Sequence, residues 1–101
     1  FYAMDDPADP TYTLSFDCVY MGMEIPTGGQ RIHDYHMLLE KIKRRGMTTE
    51  GMEHYLMAFQ YGLPPHGGLG IGLERFTMKL VGDDNVRRTT LFPRDMSRLE
   101  P

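Results

Sequence analysis

The sequence predicts an α+β fold in which a partial antiparallel sheet is flanked by helices. Apolar and polar side chains alternate along residues 12–20, which is the period-two pattern of a half-buried strand. Met21-Gly22 then predicts a hairpin turn, and this connection is too short for the crossover that parallel strands need. Apolar residues recur at helical spacing in three later segments, so we expect helices to back the sheet.

The predicted hairpin follows an acidic, proline-rich loop at residues 5–10. The more apolar face of its first strand carries Tyr12, Leu14, Phe16, Cys18 and Tyr20, and the other face carries Asp17. Cys18 is the single cysteine, so it forms no internal disulfide, and we expect it to be a small buried residue. Residues 23–32 return as the second strand, where Pro26 and Gly28-Gly29 weaken regular pairing and let backbone or ligand come close.

Two helices are predicted after the hairpin. Asp34 is the N-cap of the first, which ends at Gly46 after a cluster of basic residues, Lys41, Lys43, Arg44 and Arg45. This cluster is either a solvated last turn that complements the helix dipole or a nucleic-acid contact. The second helix spans residues 50–61 with Thr48 or Thr49 as its cap, and its apolar stripe is assigned to the core: Met52, Tyr55, Leu56 and Phe59.

A glycine-rich strand at residues 67–72 leads into a third helix at residues 73–80, which Gly82 closes. No Gly-Lys-Ser/Thr follows, which excludes a P-loop, and the Pro-Pro-His opening at 64–66 disfavours a dinucleotide-binding turn. Alternate side chains are missing, so the strand predicts a flat floor for a planar ring, with the guanidinium of Arg75 just beyond it. Residues 86–91 are predicted to be a short extended segment, and 92–95 a turn.

Composition limits the kind of protein. Among 101 residues, 41% are hydrophobic and 25% are charged, which is ordinary globular usage, and no apolar run is long enough for a bilayer. We therefore expect a reduced, cytoplasmic setting and no membrane partner. The net charge of −3 argues against a main nucleic-acid surface in this segment. Because the chain opens at apolar Phe1 without an initiator methionine, we expect it to be part of a larger polypeptide.

Three motifs in order carry a family resemblance. Residues 67–78 resemble motif 3 of the class II aminoacyl-tRNA synthetases, and Gly-Gly-Gln-Arg-Ile-His at 28–33 resembles the aspartate-site strand of aspartyl-tRNA synthetases of the archaeal and eukaryotic type. Phe-Pro-Arg-Asp at 92–95, with Arg98-Leu99 and Pro101, is similar to the C-terminal end of the aspartyl enzymes. The resemblance covers residues 1–101 and implies the C-terminal portion of the catalytic domain, with motif 3 at about 63–82.

The resemblance implies an aspartate–tRNA ligase, which uses ATP and Mg²⁺ to activate aspartate to aspartyl-adenylate and then transfers it to tRNA. Asp17, Glu24 and Thr27 would hold magnesium at the ATP phosphates, which fits the preference of Mg²⁺ for oxygen ligands. Arg31, with Thr27, would bind aspartate, because a guanidinium holds a carboxylate in a bidentate fork. ATP would contact Glu24, Gly72, Leu73, Glu74 and Arg75, and among these Arg75 and Glu24 are the expected catalytic residues.

Motif 1, motif 2 and the anticodon-binding barrel would lie upstream. The resemblance thus implies a homodimeric full-length enzyme and an isolated chain without activity.

Other interpretations stay open at this point. Without the family resemblance, Asp17 and Glu24 would be interpreted as plain surface charges, and Arg31 as a member of a structural ion pair. Pro26-Thr27 stands where relatives often have a serine or threonine pair, which bears on ligation by Thr27. The alternative functions are an asparaginyl-tRNA synthetase or asparagine-synthetase relative, and a non-catalytic nucleotide-binding module.

Overall fold

The computed structural model describes Phe1–Glu100, so Pro101 lies outside the described residues. Three strands form one antiparallel sheet in the order β1-β2-β3: β1 Ser15–Tyr20, β2 Met23–Arg31 and β3 His66–Ile71. The helices are α1 Tyr35–Arg44, α2 Glu53–Gln60 and α3 Leu73–Val81, followed by a 3₁₀ helix at Val86–Thr89. The predicted α+β class, an antiparallel sheet with flanking helices, is confirmed.

The hairpin turn lies where the sequence predicts it. Met21 and Gly22 both have positive φ, 49° and 75°, which is the conformation of the two-residue turns that match the twist of a hairpin. β1 differs from the prediction, because it starts at Ser15 and all six of its residues are exposed. The prediction that Cys18 is buried was therefore wrong. β1 is an edge strand, and the described residues bury none of its side chains.

The N-terminal residues pair with the end of β2. The Ile32 N–H donates to Tyr2 O at 2.8 Å and the Met4 N–H donates to Gln30 O at 3.0 Å. Lys41 on α1 is only 4% exposed, and its ammonium donates to Ala3 O at 2.5 Å and to the Asp5 carboxylate. The basic end of α1 was predicted as a solvated turn or a nucleic-acid contact, and for Lys41 both interpretations were wrong, since this lysine is buried against the N-terminal segment.

Two of the predicted helix ends are found in the structure, and one predicted cap is not. Asp34 is confirmed as the N-cap of α1, because its side chain accepts the Met37 N–H at 2.8 Å. Gly82, with φ of 72°, ends α3 as predicted. α2 starts only at Glu53 and has no side-chain cap, so the assignment of Thr48 or Thr49 was wrong.

The predicted extended segment at 86–91 was also wrong. Its first four residues form the 3₁₀ helix, whose Asn85 cap accepts the Arg87 N–H at 3.0 Å.

The chain divides into two compact units. The first unit is Phe1–Phe16 with Gly28–Leu69, and the second is Asp17–Thr27 with the described residues from Gly70 onward. The core of the first unit is a cluster of five buried residues: Ile32, Leu38, Ile42, Leu56 and Phe59. Among the described residues of the second unit, only Ile25 and Met78 are buried. No helix within Phe1–Glu100 has the length and apolar character to cross a bilayer.

Candidate functional site

Arg31, the last residue of β2, is held by an aromatic ring. Its guanidinium carbon lies 5.8 Å from the centroid of the Tyr2 ring, which is within the range of a cation–π contact. Gly68 on β3 gives the side chain its space, because a Cβ there would stand 3.0 Å from Arg31 Nη2 and 3.2 Å from its Cζ. Because residue 68 is a glycine, the guanidinium of Arg31 can occupy the space that a side chain at position 68 would otherwise fill.

The charge of Arg31 is not neutralised inside the described part of the chain. No carboxylate among residues 1–100 forms a salt bridge with it, so the interpretation of Arg31 as a structural ion pair is not supported there. Burial raises the pKa of nearby Tyr55, and the positive charge of Arg31 opposes that rise. An uncompensated guanidinium of this kind offers its planar N–H fork to a carboxylate.

Close backbone approach explains the glycine pair of β2. A Cβ on Gly28 would meet Gly68 O at 2.6 Å, and one on Gly29 would meet Leu14 O at 2.6 Å. Real side chains do not tolerate such distances, so both positions require glycine. The expectation that these glycines let backbone come close is confirmed.

In the second unit, β1 and β2 bring two of the candidate oxygen ligands together. The Thr27 hydroxyl donates a hydrogen bond to Asp17 Oδ1. Ile25 is buried whereas Thr27, two residues on, is exposed. Glu24 is exposed as well.

The chemistry of these groups suits a hard cation. Asp17 and Glu24 are exposed and form no salt bridge with a lysine or arginine of the described chain, so their oxygens are not taken up by an internal charge. Mg²⁺ prefers such ligands and usually takes one or two carboxylates together with water and phosphate. Within residues 1–100, no three His, Cys, Asp or Glu side chains gather in one group. A magnesium ion here would thus need further ligands from phosphate and water.

Arg75 lies in the first turn of α3 and contacts the same part of β2. The N–H of Gly72, the N-cap, donates to Ile25 O at 3.2 Å, and Arg75 Nη1 lies 3.4 Å from Glu24 O. The latter contact is long and weak. Leu73 and Glu74 are exposed beside it, and the Glu74 carbonyl accepts the Thr89 hydroxyl at 2.9 Å. The structure therefore brings Gly72 and Arg75 close to the Glu24 backbone.

Two contacts near these residues were missed by sequence reasoning. Tyr2 was read only as an apolar residue at the start of the chain, and the Lys41–Asp5 ion pair was not foreseen. Both depend on pairing between segments about 30 or more residues apart, and the local pattern carries no signal for that. A shallow depression beside Arg75 was also missed; the side chains that line it with Arg75 and Glu74 are Val86, Arg87, Thr90, Phe92, Pro93 and Arg94.

Comparisons with known proteins identify the family of the chain. The family model of the class II tRNA synthetases (D, K and N) matches residues 1–96. The "Aspartate--tRNA(Asp/Asn) ligase" of Methanothermobacter thermautotrophicus is 50% identical over all 101 residues, and so is the "Aspartate--tRNA(Asp) ligase" of Pyrococcus furiosus. The chain spans 23% of the length of each of these relatives.

Solved structures show the same similarity. The aspartyl-tRNA synthetase of Entamoeba histolytica superimposes on 99% of this chain with a TM-score of 0.91 at 45% identity, and the match covers 21% of that protein. For the asparaginyl-tRNA synthetase of Pyrococcus horikoshii, the TM-score is 0.89 at 40% identity, with 99% of this chain and 24% of that protein covered. The chain belongs to the class II tRNA synthetase family of the D, K and N type.

Proposed function

We propose that this chain is the C-terminal portion, residues 1–101 with motif 3 at about 63–82, of the catalytic domain of an aspartate–tRNA ligase. The full-length enzyme activates aspartate with ATP and Mg²⁺ and transfers it to tRNA. The observation that carries the proposal is Arg31, whose guanidinium lies over the Tyr2 ring, has clearance from Gly68, and has no acidic partner within the described chain. Relatives named for aspartate at 50% identity support the same substrate.

In this proposal, Arg31 binds the side-chain carboxylate of aspartate in a bidentate fork, with Thr27 beside the amino acid. Lysine does not reproduce this fork, because its ammonium is a point charge. The α-carboxylate of the bound aspartate then attacks the α-phosphorus of ATP, forming a new P–O bond while the bond to pyrophosphate breaks. Such a reaction depends on positioning and on charge neutralisation more than on a protein nucleophile.

The second unit supplies the nucleotide and metal ligands. Asp17, Glu24 and Thr27 would hold Mg²⁺, which neutralises phosphate charge when bound. Gly72, Leu73 and Glu74 line the nucleotide. The Arg75 guanidinium stacks on adenine and reaches the γ-phosphate.

The remaining parts of the enzyme belong to the longer polypeptide. Because the chain spans 23% of the relatives it matches, we infer that the other motifs, the tRNA contacts and the homodimer interface lie outside it. The full-length enzyme is proposed to be cytoplasmic. The isolated chain is proposed to be inactive, and aspartate-dependent ATP–pyrophosphate exchange by the isolated chain would contradict this.

An asparaginyl-tRNA synthetase is the second candidate, since such enzymes share the fold at 38–40% identity. The aspartyl relatives and structures are more similar, at 43–50% identity. The Phe-Pro-Arg-Asp segment at 92–95 also fits the aspartyl pattern better. A non-catalytic module is disfavoured, because all four charged ligands, Asp17, Glu24, Arg31 and Arg75, are present.

ATP–pyrophosphate exchange by the full-length enzyme tests the proposal. Exchange should depend on aspartate and not on asparagine. Arg31→Gln should lower kcat/KM for aspartate by about 30-fold or more, because truncating one partner of a hydrogen-bonded charge pair costs about 2–5 kcal/mol. Arg31→Lys keeps the charge but loses the bidentate fork, so it should also lower kcat/KM for aspartate. The KM for ATP should stay within about twofold.

Arg45→Gln is the matched control, since Arg45 is exposed and forms no salt bridge within residues 1–100. It should leave both KM values unchanged. An Arg31→Gln enzyme with the wild-type KM for aspartate, or exchange that requires asparagine, would reject the proposed function.

A further inference from the structure

We propose that Tyr2 is a positioning residue that holds the Arg31 guanidinium in place for the substrate carboxylate. The inference rests on the proposed function, because it takes Arg31 to be the aspartate ligand. It adds a residue of the N-terminal segment to the determinants of amino-acid binding.

The backbone fixes where Tyr2 stands. Hydrogen bonds on both sides of position 3 pair this segment with the end of β2: Ile32 N–H to Tyr2 O at 2.8 Å and Met4 N–H to Gln30 O at 3.0 Å. Ala3 lies directly opposite Arg31 in the resulting antiparallel bridge. Tyr2 is thus opposite Ile32, one position along the pairing from Arg31, and the long Arg31 side chain places its guanidinium carbon 5.8 Å from the centroid of the Tyr2 ring.

The segment is anchored from α1 as well. The buried ammonium of Lys41 donates to Ala3 O and to the Asp5 carboxylate, and Arg44 Nη2 lies 2.9 Å from Asp5 Oδ2. A buried lysine with these two acceptors resists separation, because an unpaired buried charge is costly. The pairing that places Tyr2 is therefore secured on both sides of Ala3.

The ring of Tyr2 is braced by other rings. Phe1 packs edge-on against Tyr2 with centroids 5.6 Å apart, and against Tyr55 at 6.1 Å. Tyr55 in turn packs against Phe59 of the buried core at 5.0 Å. This row of aromatic contacts links the ring under Arg31 to the core of the first unit.

A ring is well suited to hold a guanidinium that must bind something else. An acidic partner would neutralise the charge and use the in-plane N–H donors. An aromatic face attracts the cation from above its ring instead and leaves those donors available for a carboxylate. Tyr2 therefore restricts Arg31 without competing with the substrate.

The test uses the full-length enzyme and compares Tyr2→Leu with Tyr2→Phe. Tyr2→Leu removes the ring, so the KM for aspartate should rise about three- to fivefold, as expected for a cation–π contact between exposed groups. The KM for ATP and kcat should stay within about twofold. Tyr2→Phe keeps the ring and should stay within about twofold of the wild type in all three constants.

Tyr61→Leu is the matched control, because Tyr61 is 84% exposed and has no ring contact within the described residues. It should leave both KM values unchanged. If Tyr2→Leu does not fold, fluorinated phenylalanines at position 2 test the same point at nearly constant shape. The KM for aspartate should then rise with each added fluorine, since fluorine weakens the negative face of the ring.

The outcomes separate the two proposals. An unchanged KM for aspartate in Tyr2→Leu, or across the fluorinated series, overturns the inference if Arg31→Gln still raises that KM. An equal rise of both KM values in Tyr2→Leu also overturns it, because that result indicates general structural damage. If Arg31→Gln has no effect on aspartate either, the proposed function itself fails.

Discussion

The two units of the chain hold their key guanidinium groups in different ways. Arg31 in the first unit lies over an aromatic ring that is braced against a core of five buried side chains. Arg75 in the second unit has one long hydrogen bond to a carbonyl, and only two described residues of that unit are buried. The difference matches the proposed roles, since selecting a small amino acid needs a preorganised ligand. A charged triphosphate and its metal are bound mainly by electrostatic attraction, which depends less on the exact position of each side chain.

The largest expected effect tests whether the core supports the first unit. Leu38 is completely buried, so Leu38→Ala should lower the free energy of opening of α1 by about 2–5 kcal/mol through lost burial and a cavity. Native-state hydrogen exchange of the α1 amides in the full-length protein measures this change. Leu91→Ala is the control, because Leu91 is 90% exposed and the change should be within about 0.5 kcal/mol. If Leu38→Ala and Leu91→Ala had equal effects, the buried core would not be what stabilises the first unit.

A smaller effect is expected for the oxygen ligands of the second unit. Asp17→Asn removes one carboxylate charge, so the Mg²⁺ concentration for half-maximal ATP–pyrophosphate exchange should rise about tenfold, equivalent to about 1.4 kcal/mol. The KM for aspartate should change little, because Arg31 is intact. Asp84→Asn is the matched control, since this carboxylate is 92% exposed. An unchanged Mg²⁺ requirement in Asp17→Asn would remove Asp17 from the metal ligands.

The smallest effect concerns the anchor of the N-terminal segment. The hydrogen bond from Lys41, followed by that from Arg44, lowers the pKa of Asp5 below its ordinary value of 3.8 despite an opposing desolvation. A lowered pKa means that the ionised form stabilises the fold above about pH 3.8 and that this contribution is lost as the pH falls through the folded pKa.

An NMR titration of the Asp5 carboxyl carbon measures that pKa directly. Protection of the Met4 and Ile32 amides should decrease over the same titration. Lys41→Met should move the pKa of Asp5 towards its ordinary value, whereas an unshifted titration in both proteins would show that this anchor is weak.

Sequence reasoning succeeded where structure is determined locally. The cap at Asp34, the turn at Met21-Gly22 and the end of α3 at Gly82 depend on a few neighbouring residues, and all three were predicted correctly. The α+β class followed from the same local patterns. Local chemistry of this kind is encoded in short segments, so it can be read without knowing the tertiary structure.

Predictions failed where the outcome depends on distant residues. The exposure of Cys18 depends on what covers β1, and the ring beneath Arg31 depends on the pairing of residues 2–4 with residues 30–32. For the candidate site, sequence and resemblance supplied the eight residue assignments, which stay predictions. The structure adds the contacts of Arg31, the Asp17–Thr27 hydrogen bond and the approach of Arg75 to β2.

The attachment of the N-terminal segment has a consequence for the order of folding during synthesis. Asp5 and its partner Lys41 are separated by 36 residues, and at about 5–20 residues per second a ribosome needs about 2–7 s to traverse that interval. Tyr2 and its neighbours are therefore synthesised earlier, by this interval, than Lys41, the residue that anchors their pairing with β2. The aromatic support of Arg31 is therefore completed late in translation of this region, after its partner segments have emerged.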